Sequence, residues 1–292
     1  MIDSFLKYLQ FEKRYSAKTV LSYETDLRQF EQFLVGDFDC PPQQANYGLV
    51  RSWIISLVED GLSNASINRK IACLRSFYKY LRKQELVAID PMQKIKILKA
   101  PKRIPHFVKE EDANLMLDNV VFENNHEGLR DQLMLELFYG TGMRLSELIN
   151  LKENRVNLKD RTLKVLGKRN KERVIPFTAH LAKLIERYVK ARNLEVAKYD
   201  HGLLFVTNKG EPLYPVLVNR IVKKYLKAFT SVEKRSPHVL RHSYATHLLN
   251  KGAEINAVKD LLGHSSLAAT QVYTHNSMEK LKKVFEQAHP KA

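Results

Sequence analysis

Four short segments of the 292-residue chain hold the side chains best suited to chemistry on an anion. The segment TGMRLSEL (141–148) places Arg144 just after a glycine-flanked bend, in the first turn of a helix, where a guanidinium joins free backbone N–H groups. The segment LGKRNKERVIPF (166–177) reads as a turn rich in basic residues between two strands, with Lys168 at its tip and Arg169 and Lys171 beside it. In SPHVLRHSYATHLL (236–249), Ser236 suits an N-cap and Pro237 the first helical position. That start puts His238 and Arg241 on one helical face near the positive end of the helix dipole, a clamp suited to phosphate. In LLGHSSLAATQVYTH (261–275), Gly263 stops a helix, His264 follows at once, and Tyr273 lies nine residues further on.

A metal centre is the competing chemistry, because His238, His242 and His247 share one helix. Its support is poor. The glutamate of an HExxH motif is missing, and Arg241 stands where a cation would be repelled. No metal and no other cofactor are expected.

These segments need elements to hold them. Residues 1–88 read as all helix: a short first helix around Phe5 and Leu9, a second capped by Ser16, a third over 47–59 and a fourth opened by Ser63. Asp90-Pro91 ends that pattern. On the fourth helix Asn64, Asn68, Arg75, Lys79 and Arg82 fall opposite the apolar stripe, a surface fit for a nucleic-acid groove. The stretch 92–107 has five basic residues, two prolines and no acid, so it is expected to be an exposed basic linker, with Lys102 and Arg103 able to cross a phosphate backbone. Beyond 108 the pattern is mixed. A helix near 128–139 meets a Gly140-Thr141-Gly142 turn and a second helix through Leu151, and a hairpin follows in which Leu163 and Val165 alternate with polar residues. Helices are then expected near 179–194, 215–229, 237–250, 254–262 and 277–288.

The fold class is therefore mainly α with a small β-sheet. The expected domains are a helical unit at 1–91, the linker at 92–107, and a mixed α/β unit at 108–292 ending in an amphipathic interaction helix. The formal charge of +16 favours a polyanionic partner through long-range attraction and counterion release. No stretch approaches a membrane span, and the first residues lack a secretory pattern. With only Cys40 and Cys73, and no CxxC spacing, a reduced cytoplasmic compartment is expected.

In order and spacing the four segments resemble the tyrosine recombinase family, the phage-type integrases, and are most like its Xer-type members. The family's set of arginine, lysine, His-x-x-Arg, histidine and tyrosine is matched by Arg144, Lys168, His238, Arg241, His264 and Tyr273. The helical N-terminal unit resembles the family's core-binding domain, so the likeness covers nearly the whole chain.

The resemblance implies attack by the Tyr273 oxygen on a DNA phosphodiester, giving a 3′-phosphotyrosine and a free 5′-hydroxyl. A phenol of pKa ~10 costs about 4 kcal/mol to ionise at neutral pH, so cationic surroundings and a base are needed. His238 is the implied base, and Arg144 and Arg241 bind the non-bridging oxygens, with His264 as a further donor. Lys168 protonates the leaving oxygen, helped by the charges of Arg169 and Lys171. The resemblance also implies double-stranded DNA as partner, a homo- or hetero-tetramer on two DNA sites, and room for a regulatory protein partner. Chromosome dimer resolution is the favoured role. A mobile-element integrase and a type IB topoisomerase-like nicking-closing enzyme are the alternatives.

Overall fold

The computed structural model describes residues 1–101, 106–167, 172–196, 201–230, 232–263 and 288. The chain forms two compact units, Met1–Arg103 and Ile104–Ala292. No described helix is long and apolar enough to cross a membrane.

The first unit is helical. Helix α1 (Ile2–Lys7) runs into one π turn, and α2 (Ala17–Phe38), α3 (Tyr47–Glu59) and α4 (Asn64–Lys83) follow. Each long helix starts on a side-chain cap that satisfies an otherwise orphaned N–H: Ser16 accepts from Thr19, Asn46 from Leu49 and Ser63 from Ser66. Their apolar stripes close on Leu27, Phe30, Trp53, Ile71, Phe77 and Tyr78, all buried. Asp26 is buried with them, and its charge is met by Arg69 and by Lys70 Nζ at 2.9 Å.

The expected exposed linker begins later than the sequence pattern suggests. Met92 and Ile95 are buried in the first unit's core, and Leu98 packs against it at the same three-residue step. The Asn68 side-chain amide pairs with the backbone of Leu98 in both directions at 2.8 Å. Asn64 Nδ2 donates to Lys99 O at 2.9 Å and Arg75 Nη2 to Ile95 O at 2.6 Å. Prolines and lysines dominate the pattern of this stretch, and Lys94, Lys96 and Lys99 do face solvent with Gln93 and Ile97, yet Met92, Ile95 and Leu98 hold the segment to the first unit.

The second unit is built around α6 (His126–Thr141), which packs against α8 (Ala179–Glu195) and α10 (Pro237–Asn250). Helix α6 is buried nearly all round, as a central helix should be. It is preceded by α5 (Glu110–Asn119), which the periodicity did not show, and followed by α7 (Leu145–Ile149). A three-stranded antiparallel sheet comes next, in the order β1 (Val156–Asn157), β2 (Thr162–Leu166), β3 (Glu172–Pro176). Leu163 pairs with Ile175 and Val165 with Arg173, so these positions share the inward face. Helices α9 (Pro215–Phe229) and α11 (Ile255–Leu262) complete the described elements. Of the expected terminal helix at 277–288 only Ala288 is described; it is buried with Tyr244, Leu248, Val258, Leu261 and Leu262.

Where a Gly140-Thr141-Gly142 turn was expected, Gly140 and Thr141 remain helical and Gly142 alone turns the chain, at φ +58°. Its backbone sits hard against α10 and α11. A Cβ at Gly142 would lie 2.5 Å from Tyr244 Cδ1 and 2.9 Å from Leu262 Cδ2. Gly142→Ala therefore combines a left-handed conformation with a steric clash, and is expected to lower the unfolding free energy by about 2 kcal/mol or more in a denaturant titration. A midpoint equal to that of the unaltered protein would contradict this packing.

Candidate active site

Three of the six expected catalytic residues lie in described parts of the chain: Arg144, His238 and Arg241. Lys168, His264 and Tyr273 fall outside the described residues, as do Lys102, Arg103, Arg169 and Lys171. Gly167 and Gly263 are the last described residues before Lys168 and His264.

Arg144 is the N-cap residue of α7. Its backbone N–H donates to Glu147 Oε2 at 2.7 Å, and its Nη1 to Glu147 Oε1 at 2.6 Å. Nη2 donates to Gly263 O at 2.9 Å. Arg241 sits one turn into α10 and is only 8% exposed; its Nη1 donates to Gly142 O at 2.5 Å and its Nη2 to Leu262 O at 2.6 Å. The two arginines, 97 positions apart in sequence, thus end on adjacent carbonyls at the close of α11. Those carbonyls belong to the last turn of a helix, where they lack intrahelical donors and carry the negative end of its dipole.

A third arginine joins them. Arg173, on β3, donates from Nε to Leu261 O at 3.0 Å and forks onto Glu147, with Nη1 at 2.5 Å from Oε1 and Nη2 at 2.8 Å from Oε2. The carbonyls of residues 261, 262 and 263 are each taken by a different arginine. Neither Arg173 nor Glu147 was among the sequence candidates. Two signals pointed to them: Glu147 stands three residues after an N-cap, the position from which a carboxylate reaches back. Arg173 occupies an inward position of a strand whose alternation otherwise buries apolar side chains.

The electrostatics follow from this crowding. Burial alone would raise the Glu147 carboxyl, but the hydrogen bonds and charges of Arg173 and Arg144 override it and hold it below its ordinary value. Arg241 goes the other way. Burial, then the charges of Arg144 and Arg173, push its guanidinium down to about 9. Three guanidinium groups against one carboxylate leave an uncompensated positive site, and Arg144, with a quarter of its side chain exposed, opens it to solvent. The structure thus supplies forked donors and excess charge for one more anion.

His238 lies at the exposed start of α10, one turn before Arg241. Of the histidines in the metal alternative, His247 is buried, with Nδ1 3.0 Å from the Tyr139 hydroxyl. Among the described residues no three His, Cys, Asp or Glu side chains are grouped to hold a metal ion.

The DNA-facing candidates of the first unit divide. Asn64 and Asn68 are committed to the 98–99 backbone, which corrects their reading as a free polar face. Lys79 and Arg82 stay exposed, and with Arg75, Lys83, Asp90 and Gln93 they line an open cavity of about 660 Å³. Sequence reasoning passed over a second basic face. On α9, Arg220, Lys223, Lys224 and Lys227 are all exposed, and the helix carries no acid.

The family model described as phage integrase family matches residues 106–280, and the one described as phage integrase, N-terminal SAM-like domain, matches residues 2–85. The chain belongs to the phage integrase family. A curated relative, tyrosine recombinase XerC of Bacillus subtilis (strain 168), is 38% identical over the whole of this chain and 96% of its own length. Among solved structures, the XerH site-specific recombinase bound to palindromic difH substrate superposes with a TM-score of 0.74 at 23% identity, covering 97% of this chain and 83% of its own. The Tn1549 transposon integrase in complex with transposon right end DNA reaches the same TM-score of 0.74 at 21% identity, covering 96% of this chain and 99% of its own. At those identities the two structures establish the shared fold. The chain is a tyrosine recombinase: a DNA-binding enzyme that cuts and rejoins strands at specific sites.

Protonation links Arg241 to anion binding in a definite direction. A bound anion favours the charged guanidinium, so affinity is highest below about 9 and falls as pH rises through that value. Sulfate, a dianion throughout, is expected to raise the thermal midpoint more in the unaltered protein than in Arg241→Ala at about pH 7.5, and the difference should shrink as the pH rises through about 9. An equal sulfate effect on both proteins at the lower pH would contradict an anion site at this residue.

Proposed function

We propose that the Tyr273 hydroxyl attacks the scissile phosphodiester while Arg144 and Arg241 hold its non-bridging oxygens. The observation carrying this reading is the convergence of one arm of each guanidinium, Arg144 Nη2 and Arg241 Nη2, on the adjacent carbonyls of Gly263 and Leu262. A carbonyl is a neutral acceptor. A phosphate oxygen carries charge and makes charge-assisted bonds of roughly twice the strength, so incoming DNA can draw the same donors onto itself. The benefit grows as the pentacoordinate transition state gains negative charge, which is where binding accelerates a reaction.

The remaining roles follow from position and chemistry. His238 takes the phenolic proton, Lys168 protonates the departing 5′ oxygen, and His264 adds a donor to the phosphate from the residue after Gly263. Energy is conserved in the tyrosyl ester, so a second 5′-hydroxyl reverses the step. For grip on the duplex we assign the exposed Lys79 and Arg82, the basic residues Lys102, Arg103, Arg169 and Lys171, and the bare cationic face of α9.

Chromosome dimer resolution is the biological role best supported, since the full-length relative is a XerC recombinase. The fold alone is shared with a transposon integrase and does not separate the two roles. We further propose a tetramer on two DNA sites, joined by the 277–289 segment. Here Ala288 closes an apolar patch of Tyr244, Leu248, Val258, Leu261 and Leu262. The same segment of a neighbouring copy can close that patch equally, the logic of an exchanged element.

On a nicked suicide duplex the protein should form a denaturation-resistant adduct, undiminished in excess EDTA, and Tyr273→Phe should abolish it. An adduct that survives the substitution would displace Tyr273 from its role. Removal of residues 277–292 is expected to spare binding to a single site while eliminating exchange between two sites; recombination at the full rate would refute the docking role.

A further inference from the structure

We propose that Arg173 is a positioning residue of the cleavage step, setting the Arg144 guanidinium through Glu147. The inference deepens the reading above and rests on Arg144 as a phosphate ligand.

Three observations carry it. First, Arg173 itself is held on every side. Its backbone lies in the β2–β3 ladder opposite Val165, its Nε donates to Leu261 O, and its aliphatic stem lies under Gly263. A Cβ at Gly263 would come within 2.9 Å of Arg173 Cδ. Second, Arg173 meets both carboxylate oxygens of Glu147 in a fork, and Glu147 is itself 96% buried, so no water competes for that orientation. Third, the same two oxygens are the ones that receive Arg144: Oε1 takes its Nη1 and Oε2 its backbone N–H. Glu147 thus transmits the fixed geometry of a β-strand to a side chain that is a quarter exposed and would otherwise sample several rotamers. The strand concerned is β3, paired antiparallel with β2, so one guanidinium ties that pair, the start of α7 and the end of α11 together.

A buried arginine opposite a buried glutamate also has a merely structural explanation, neutralisation of the carboxylate. The two roles differ in what lysine can replace. A lysine supplies the charge but presents one compact donor group, which cannot span both Glu147 oxygens and the Leu261 carbonyl together.

The test is a double-substitution cycle on single-turnover adduct formation with the suicide duplex, with duplex affinity and thermal midpoint measured beside it. Arg173→Lys is expected to fold, to bind duplex within about threefold of the unaltered protein, and to form adduct on the order of 100-fold more slowly. Placed on top of Arg144→Lys, Arg173→Lys should cost less than about fivefold more, because the group it positions is already gone. Losses that multiply in full would overturn the inference while leaving the role of Arg144 intact. Glu147→Gln provides a second route, since it keeps the shape and weakens the relay, and the same loss of additivity with Arg144→Lys is expected. If both variants melt below the assay temperature, the pair serves fold stability and the inference falls. Adduct formation unaffected by Arg144→Lys alone would instead sink the parent reading, and the inference with it.

Discussion

A protein that must bind a doubly charged transition state has to keep its cations together before the anion arrives, and like charges in a low-dielectric interior repel. Here the repulsion is met by one buried carboxylate and three helix-end carbonyls. Glu147 takes two guanidinium groups at once, and the carbonyls of Leu261, Leu262 and Gly263 take one donor each from Arg173, Arg241 and Arg144. A glutamate buried alone would protonate; between two arginines it stays ionised. The balance is deliberately incomplete. One carboxylate faces three cations, and burial, then the charges of Arg144 and Arg173, lower the Arg241 guanidinium.

The fold can be understood from that cluster outward. Residues far apart in sequence reach the end of α11 because Gly142 turns the chain sharply between α6 and α7, delivering Arg144, and because α10 lies against α6, delivering Arg241. Gly142 and Gly263 both adopt left-handed conformations, and both have side chains pressed where a Cβ would go. Small, left-handed residues at these two points let the arginines approach backbone oxygens directly. The sheet is short, yet it is anchored at the inward positions of β3, and Arg173 carries that rigidity into the site.

Much of this was legible in the chain. Helices with clear stripes, α2, α3, α4 and α8 among them, announced themselves by their periodicity, with Ser16 and Ser63 marking two of the starts; the Asn46 and Thr178 caps showed only in the structure. The hairpin showed in the alternation of Leu163 and Val165. Helix α5 escaped because Lys109 offers no side-chain cap and its apolar stripe is short, Ala113, Met116 and Leu117 alone, although the three acids of its first turn suit a helix start. The 92–99 segment hides its role because its three lysines alternate with the three apolar residues, Met92, Ile95 and Leu98, that hold it down. Arg144 and Arg241 could be found by type and spacing, but their common target could not, since it is a row of backbone carbonyls that no side-chain pattern encodes. Arg173 and Glu147 were hidden for a similar reason. A buried charge is recognisable only once its partner, 26 residues away, is seen beside it.

The central claim is that Arg144 and Arg241 exchange the α11 carbonyls for phosphate oxygens when DNA is bound. It is tested most directly by a crystal structure of the protein trapped covalently on a duplex at its own site. The account requires that the phosphate joined to Tyr273 accept hydrogen bonds from both guanidinium groups, with Arg173 still forked onto Glu147. A phosphotyrosine lying elsewhere, with Arg144 and Arg241 still bound to Gly263 and Leu262, would contradict it.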